Sequence, residues 1–208
     1  MKLTIGPANI TNFAEDKHLL YTQVMWELTI EHDEDLLPEL LRNDVWINSE
    51  AWNNHQLRTT YNNTSEILNK FQNSFDQQIK QQILERIWNS PPGDACMSTH
   101  LRSSWLFQLE DCIKKSHFIT SIIKDMPGFK MEPHLDNYYV MVQIIINLQD
   151  NCASTKFYPF NSTNPFYVAP TKKYQGVMFL NKPGAIHDID NITKDRYILY
   201  ASINIGLN

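Results

Sequence analysis

The chain lacks the features that mark several large classes of protein. Lysine and arginine number 18 against 23 acidic residues, which gives a net charge of −5, so the composition does not predict a protein built to grip a nucleic-acid backbone. No run of eighteen apolar residues occurs, and the start, MKLTIGPANI, has no apolar signal-peptide core. We therefore expect no membrane span, no export signal and no nucleic-acid partner, which leaves a soluble cytoplasmic protein.

Cysteine is also scarce. The three cysteines, at positions 96, 112 and 152, are odd in number and show no C-x-x-C spacing, so neither a disulfide framework nor a thiolate zinc site is indicated. We interpret them as small core residues.

The first half of the chain has mainly helical patterning. With 208 residues the chain fits one domain with a sizeable core, in which we expect residues 1–110 to be a mainly helical support region. Apolar residues recur at three- and four-residue steps over 67–88, which predicts a long amphipathic helix laid over a sheet. A partner-binding face or a coiled coil is the alternative. Shorter helices are expected over 19–30 and 36–43.

From position 107 the pattern changes to short β-rich runs separated by turn residues. We predict strands at 119–124, 131–134, 140–147, 155–160, 166–169, 176–180, 185–189 and 196–205. Many short strands with no helices between them indicate a sandwich or jelly roll rather than a parallel α/β sheet. The expected fold is mostly β with N-terminal α, in which helices buttress an eight-stranded jelly-roll core over residues 111–208.

One short motif in the β-rich region suits metal binding. His134 and Asp136 are separated only by Leu135, and because side chains alternate faces along a strand, the imidazole and the carboxylate point the same way. Seven histidines and 23 acidic residues in 208 positions give roughly 0.8 such triplets by chance, so the strand context carries the signal. A second copy at 32–34 lies in an acidic stretch of helical character, and we interpret it as a solvated surface run.

A third ligand is expected from His187. It follows the apolar run 177–180, so a neighbouring strand can bring its imidazole to the same place as His134. A lone strand histidine is more often structural, but two histidines and one carboxylate in this order favour a non-haem Fe(II) site with open coordination positions. Asp188 and Asp190 are rival carboxylates, and their place at the entry to a turn favours exposure to solvent.

Arg196 opens the last predicted strand. Alternation places it on the more mixed face of that strand, where a guanidinium inside a barrel is costly unless an anion pairs with it. Its planar fork matches a carboxylate. The alternative is an edge residue that points into water. Because His187 lies nine positions earlier across one predicted hairpin, we favour an anion-binding arginine.

These residues, in this order and spacing, resemble the Fe(II)- and 2-oxoglutarate-dependent dioxygenases, particularly the branch that contains the prolyl 4-hydroxylases. The resemblance covers roughly residues 118–205 and includes Gly128 and the segments 132–137, 144–147, 155–157 and 177–179. The chain departs from that branch at positions where cosubstrate-contacting tyrosines or a Gly-Gly pair are common, which here hold Asp125, Met131, Ile145 and the pair Cys152-Ala153.

The resemblance implies a double-stranded β-helix with His134, Asp136 and His187 as the iron ligands. It implies that Arg196 completes the catalytic set by holding the far carboxylate of 2-oxoglutarate, to which Thr155 also hydrogen-bonds. Such enzymes use O2 to convert 2-oxoglutarate to succinate and CO2 while they hydroxylate an unactivated C–H bond. The protein orients the bonds and shields the oxidant.

The substrate favoured by the resemblance is a prolyl or other side chain of a peptide or protein. A free amino acid or small metabolite is a second candidate, and a non-catalytic jelly-roll binding module is the alternative from another class. Halogenation is disfavoured because Asp136 fills the position that a halide needs. Nucleic-acid dealkylation is disfavoured because the terminal strand has no second arginine after Arg196. Tyr138 and Tyr139 are candidates for substrate contact or for core packing.

Overall fold

The computed structural model describes residues 2–8, 25–32, 35–38, 46–48, 57–61, 66–89, 110–137, 139–150, 152–159, 162–181 and 185–204. The strands in these ranges are β1 Lys2–Pro7, β2 Met25–Glu31, β3 Trp46–Asn48, β4 Arg58–Tyr61, β5 Ile119–Asp125, β6 Met131–His134, β7 Val140–Asn147, β8 Thr155–Tyr158, β9 Tyr167–Val168, β10 Gln175–Leu180, β11 Ile186–Ile189 and β12 Arg196–Asn204. The helices are α1 Glu66–Ser74 and α2 Lys80–Asn89, joined by the π-helical turn Phe75–Ile79. Residues 110–115 are also helical.

The strands form two antiparallel sheets. The larger has the order β1-β2-β10-β7-β12-β5-β4-β3, and the smaller has the order β6-β11-β8-β9. Every pairing between these strands is antiparallel. The prediction of a mostly β fold is therefore confirmed, and each of the eight predicted strands overlaps a strand of the structure.

The two sheets pack against each other through aromatic side chains. Phe157 of β8, in the smaller sheet, lies 5.0 Å from Phe179 of β10, in the larger sheet, measured between ring centroids. Both rings are buried within the main apolar core. The ring of His187, on β11, lies 5.5 Å from Phe157 and 5.1 Å from Phe179. The inter-sheet core therefore ends directly against one of the predicted metal ligands.

The long helix covers the larger sheet, as its apolar pattern predicts. Its buried side chains join the core of the sheets, and the Thr120 hydroxyl of β5 donates a hydrogen bond to the carbonyl of Leu68 in α1. Several of the buried apolar positions are four residues apart, whereas one α-helical turn has 3.6 residues. The apolar stripe would therefore drift around the helix axis, and the wider π turn corrects this drift. The buried side chains of this stripe are Leu68, Phe71, Phe75, Ile79 and Ile83.

Within the described residues, no helix is both long and apolar enough to cross a membrane.

The N-terminal region contains strands that the sequence reading misses. The helix predicted over 19–30 is wrong for residues 25–30, which belong to β2 and pair with β1 and β10. Trp26, Leu28 and Ile30 are buried while the residues between them are more exposed, so the segment has the two-residue period of a strand. Of the helix predicted over 36–43, residues 36–38 are helical, and the rest lies outside the described residues.

Candidate metal centre

Two antiparallel strands bring His134 and His187 together. A turn containing Gly128, whose φ of +93° lies in the region open to glycine, leads from β5 into β6. His134 is the last residue of β6 and pairs directly with His187 of β11. The two imidazole rings lie 4.5 Å apart between centroids.

Asp136 joins the two histidines just beyond the end of β6. The sequence analysis places the whole motif on a strand, but β6 ends at His134. The side chains nevertheless alternate, because Leu135 is exposed and Asp136 is partly buried. The Asp136 carboxylate lies 3.6 Å from Nε2 of His134 and 3.4 Å from Nε2 of His187. One ligand atom from each of the three residues lies within 4.8 Å of the others. We call this group the metal triad.

Backbone contacts fix which ring nitrogens face the centre of the metal triad. Nδ1 of His134 lies 2.9 Å from the carbonyl of Glu132, and Nδ1 of His187 lies 2.9 Å from the carbonyl of Ala185. A carbonyl can only accept, so each Nδ1 carries the hydrogen and each Nε2 keeps its lone pair. Two imidazole lone pairs and a carboxylate are the donor set of a divalent transition metal, and orientation of ring ligands by carbonyls is typical of such sites. The residues present therefore fit a ferrous ion.

At two of the three residues, Asp136 and His187, electrostatics favour the charge state that a bound cation needs. Burial lowers the pKa of His187, and Asp136 only partly offsets this effect. Burial also acts to raise the pKa of Asp136, but the contact with His134 and the nearby His187 outweigh it, so that pKa is lowered. For His134, burial is outweighed by Asp136 and by the Glu132 carbonyl, so its pKa is raised. Asp136 is thus an anion beside a neutral His187, and a bound cation would replace the proton that His134 attracts.

A second row of side chains supports the metal triad, and the sequence analysis does not identify it. Gln143 of β7 donates from Nε2 to Oδ2 of Asp136. Its own Oε1 accepts a hydrogen bond of 3.2 Å from the Tyr200 hydroxyl of β12. Asn181 donates to the backbone carbonyl of Asp136 at 3.1 Å. A buried glutamine inside the apolar strand Val140–Asn147 is the signal that could have indicated such a role.

Arg196 is buried rather than exposed at an edge. Its side chain is 2% exposed, and Nη1 lies 3.1 Å from Oδ2 of Asp125. Nη2 donates to the Thr155 hydroxyl at 3.3 Å. The structure thus joins two residues named from the sequence, Arg196 and Thr155, and adds Asp125.

A second arginine, missed by the sequence analysis, meets the same carboxylate. Nε and Nη2 of Arg58, on β4, lie 2.5 Å and 3.0 Å from Oδ1 and Oδ2 of Asp125. Arg58, Asp125 and Arg196, which we call the arginine cluster, are each at most 3% exposed. Two guanidinium cations around one carboxylate leave one formal positive charge in excess. The formal charge of these three side chains is therefore +1, and a buried net positive charge favours an anion nearby.

One contact of Arg196, Thr155, lies on β8, the strand that pairs with β11 of the metal triad. Phe157 pairs with His187, and Thr155 pairs with Ile189. Thr155, which contacts Arg196, therefore lies two residues along β8 from the partner of His187, or roughly 7 Å. Arg196 is therefore linked, through Thr155, to the strand beside the metal triad.

A polar cavity adjoins the arginine cluster. Its volume is about 290 Å³ and it includes Arg196 but no member of the metal triad. The other lining residues come from the connection between β7 and β8 and from the turn between β11 and β12, namely Gln149, Cys152–Ser154 and Asp190–Asp195. The cavity is therefore a neighbour of the arginine cluster and does not include the metal triad.

The rival carboxylates stay outside the metal triad. Asp190 is exposed, as predicted, and pairs with Lys156 at 2.6 Å. Asp188 is partly buried rather than exposed, because it accepts a hydrogen bond of 2.7 Å from the Tyr158 hydroxyl. Tyr139 is partly exposed and accepts a hydrogen bond of 2.9 Å from Asn137, while Tyr138 and the triplet residues Asp33 and Glu34 lie outside the described residues.

Three solved structures have the same fold as this chain. A prolyl-4-hydroxylase of Pseudomonas putida matches with a TM-score of 0.56 at 11% identity, over 97% of this chain and 92% of that chain. A 2OG-Fe(II) oxygenase family oxidoreductase of Burkholderia pseudomallei matches with a TM-score of 0.50 at 12% identity, over 94% and 91%.

A third structure is a prolyl hydroxylase of Trichoplax adhaerens in complex with a peptide fragment of the hypoxia inducible factor oxygen degradation domain. It matches with a TM-score of 0.52 at 11% identity, over 97% of this chain and 83% of that chain. No family model and no curated protein matches the sequence. These likenesses establish the fold, and the chemistry has to be argued from the side chains.

Proposed function

We propose that this chain is an Fe(II)- and 2-oxoglutarate-dependent dioxygenase that hydroxylates an unactivated C–H bond in a peptide or protein, with a prolyl side chain as the first candidate. The observation that carries the proposal is the metal triad with both Nε2 atoms turned inward, in one fold with the buried, positively charged arginine cluster. The two sheets then correspond to the double-stranded β-helix of these enzymes.

The metal triad would hold the iron in this proposal. His134, Asp136 and His187 supply three ligands on one side, which leaves positions for the cosubstrate and O2. When bound, the iron supplies the oxidising chemistry that couples decarboxylation of 2-oxoglutarate, with release of succinate and CO2, to hydroxylation. Gln143 holds one oxygen of Asp136, so that the carboxylate keeps a fixed orientation.

Arg196 would bind the far carboxylate of 2-oxoglutarate, with Thr155 as a second hydrogen-bonding group. Contacts with Asp125 and Thr155 use two of the five guanidinium hydrogens. Nε of Arg196 is buried and has no hydrogen-bond partner among the described residues. A buried charged donor without a partner is costly, and a carboxylate bound there would remove that cost.

The side chains around the metal triad give it one closed and one open side. His187 is buried against Phe157 and Phe179, which keep water from that side. His134 is only partly buried, and Leu135 and Tyr139 nearby are exposed. A substrate would approach from this open side, and an extended peptide suits such an exposed rim better than a small molecule enclosed on all sides.

Iron-dependent formation of succinate tests the proposal. The purified chain is incubated with Fe(II), ascorbate, 2-oxoglutarate and O2, with a panel of proline-containing peptides in one arm and free amino acids in the other. We expect succinate to form in stoichiometric coupling to a mass increase of one oxygen atom in a peptide. If succinate formation is coupled only to oxidation of a free amino acid, the substrate is a small metabolite and not a peptide. If no succinate forms in any arm, the enzymatic proposal is wrong and a non-catalytic binding module is favoured.

A further inference from the structure

The two arginines of the arginine cluster share Asp125 unequally. Arg58 contacts both carboxylate oxygens, at 2.5 Å through Nε and 3.0 Å through Nη2. Arg196 contacts only Oδ2, at 3.1 Å through Nη1. The two-point contact is the geometry in which a guanidinium and a carboxylate pair most strongly, so Asp125 is mainly the counter-ion of Arg58.

The sheet enforces this arrangement. Asp125 of β5 pairs with Arg58 on one side and with Arg196 on the other, so the three side chains are cross-strand neighbours on one face. Arg58 is held further by the ring of Phe129, whose centroid lies 4.2 Å from its guanidinium carbon. Its planar group is therefore fixed in the plane in which it meets both oxygens.

The presence of Arg58 decides the formal charge around Arg196. Without Arg58, Asp125 and Arg196 would form a neutral pair, and a diacid would meet no net attraction there. With Arg58 in place, the formal charge of the arginine cluster is +1, and Arg196 keeps Nε unpartnered. Arg58 therefore affects the charge around Arg196, although Asp125 lies between the two arginines.

We propose that Arg58 is a positioning residue that occupies Asp125 and so keeps Arg196 charged toward the far carboxylate of 2-oxoglutarate. This inference rests on the proposed function. It assigns to the N-terminal strand β4 a part in cosubstrate selection, and it makes preference for a diacid over a monoacid depend on a residue that does not touch the cosubstrate.

The test is an anaerobic titration of the Fe(II)-loaded protein, followed by the visible charge-transfer band of a chelated 2-oxo acid. Two probes are used: 2-oxoglutarate, and 2-oxopentanoate, which has the same carbon chain without the far carboxylate. We expect Arg58→Gln to raise the Kd of 2-oxoglutarate by roughly tenfold or more, because the arginine cluster becomes neutral. The Kd of 2-oxopentanoate should not change.

The double variant Arg58→Gln/Asp125→Asn separates positioning from support of the fold. It restores a formal charge of +1, so the Kd of 2-oxoglutarate should return to within about threefold of the parent value. Lys124→Gln is the matched control, because it removes a cation one residue from Asp125 that pairs instead with Asp195 at 2.8 Å. It should leave both Kd values unchanged.

The outcomes distinguish this inference from the proposed function. Absence of the band in the parent protein would overturn the proposed function itself. A normal band in the parent together with an unchanged Kd in Arg58→Gln, or with equal weakening of both probes, would overturn only the role of Arg58. If Arg58→Gln does not fold, Asp125→Asn decides, because it raises the formal charge of the arginine cluster to +2: a lower Kd of 2-oxoglutarate with an unchanged Kd of 2-oxopentanoate supports the inference, and an unchanged Kd of 2-oxoglutarate contradicts it.

Discussion

The metal triad and the arginine cluster are built in opposite ways. The metal triad is local, since β6, the residues just after it and the paired strand β11 supply all three side chains. The arginine cluster draws one side chain each from β4, β5 and β12 of the larger sheet. His134 and Asp136 are partly buried, whereas every member of the arginine cluster is buried.

In the proposed enzyme the metal triad would support the chemistry, and the arginine cluster would select the cosubstrate. Two of the three ligands of the metal triad are partly exposed, so a metal ion and substrates could reach them in the proposed enzyme. A closed ionic cluster contributes to folding, because removing one partner leaves another buried charge uncompensated, and in the proposed enzyme it would also set the charge that the cosubstrate meets. Changes at the two places should therefore have effects of different kinds.

The largest effect is expected at the metal triad. His134→Ala or Asp136→Ala should abolish Fe(II) binding and turnover, because two ligands cannot replace the three-ligand set. Both side chains are only partly buried, so the circular dichroism spectrum and the unfolding midpoint should stay near those of the parent. Iron content measured after gel filtration checks the result, and turnover retained in both variants would remove the metal assignment.

A change at Arg196 should act on the cosubstrate and not on the iron. Arg196→Ala should weaken 2-oxoglutarate binding by about 2 to 5 kcal/mol, the cost of losing a buried charged hydrogen-bonding group. The KM for 2-oxoglutarate and the Kd for Fe(II) are measured on the same preparation, with Arg196→Lys as the variant that keeps the charge. An unchanged KM in Arg196→Ala would exclude Arg196 from the site.

Gln143 should matter to the metal triad more than to the arginine cluster. Gln143→Leu removes the donor to Asp136, and loss of such an orienting group typically weakens metal affinity about 10- to 100-fold. Competition with a metal chelator gives the Fe(II) affinity, and the Kd of 2-oxoglutarate at saturating iron should barely move. Equal weakening of both would show that the two regions are not separate.

The smallest effect is expected at Tyr200, which contacts Gln143 and not the metal triad itself. Tyr200→Phe removes only the hydroxyl that donates to Gln143 at 3.2 Å, so Fe(II) affinity should fall by about 1 kcal/mol or less. The same chelator competition measures it. A loss as large as that of Gln143→Leu would mean that Tyr200 acts on the metal triad by another route.

Local patterns predict that His134, Asp136 and His187 come together, and they predict most of the strands in the second half of the chain. The strands Met131–His134 and Val140–Asn147 have the predicted bounds. For Val140–Asn147 the reason is a nearly continuous apolar run between turns, which is a strong local signal. His134 and Asp136 are two residues apart, so one local conformation decides where both point. The position of His187 follows from the apolar run before it and from the expectation that its strand neighbours the strand of His134.

The arginine cluster and the N-terminal strands lay beyond local patterns. Arg58 meets Asp125 across 67 positions of sequence, through pairing of β4 with β5. No short-range pattern identifies that partner. The apolar residues of Met25–Glu31 fit both the helical period of about 3.6 residues and the strand period of about two residues. Pairing with β1 and β10 makes the segment a strand.

In the proposed enzyme the metal triad binds one ferrous ion, and 2-oxoglutarate chelates that ion beside Arg196. The most direct measurement is an anaerobic titration of the parent chain with Fe(II) and then with 2-oxoglutarate, read in the visible spectrum. The account predicts a charge-transfer band that requires both additions, saturates at one iron and one 2-oxoglutarate per chain, and disappears in Asp136→Ala. A parent chain that binds no Fe(II), or a band that persists in Asp136→Ala, would contradict it.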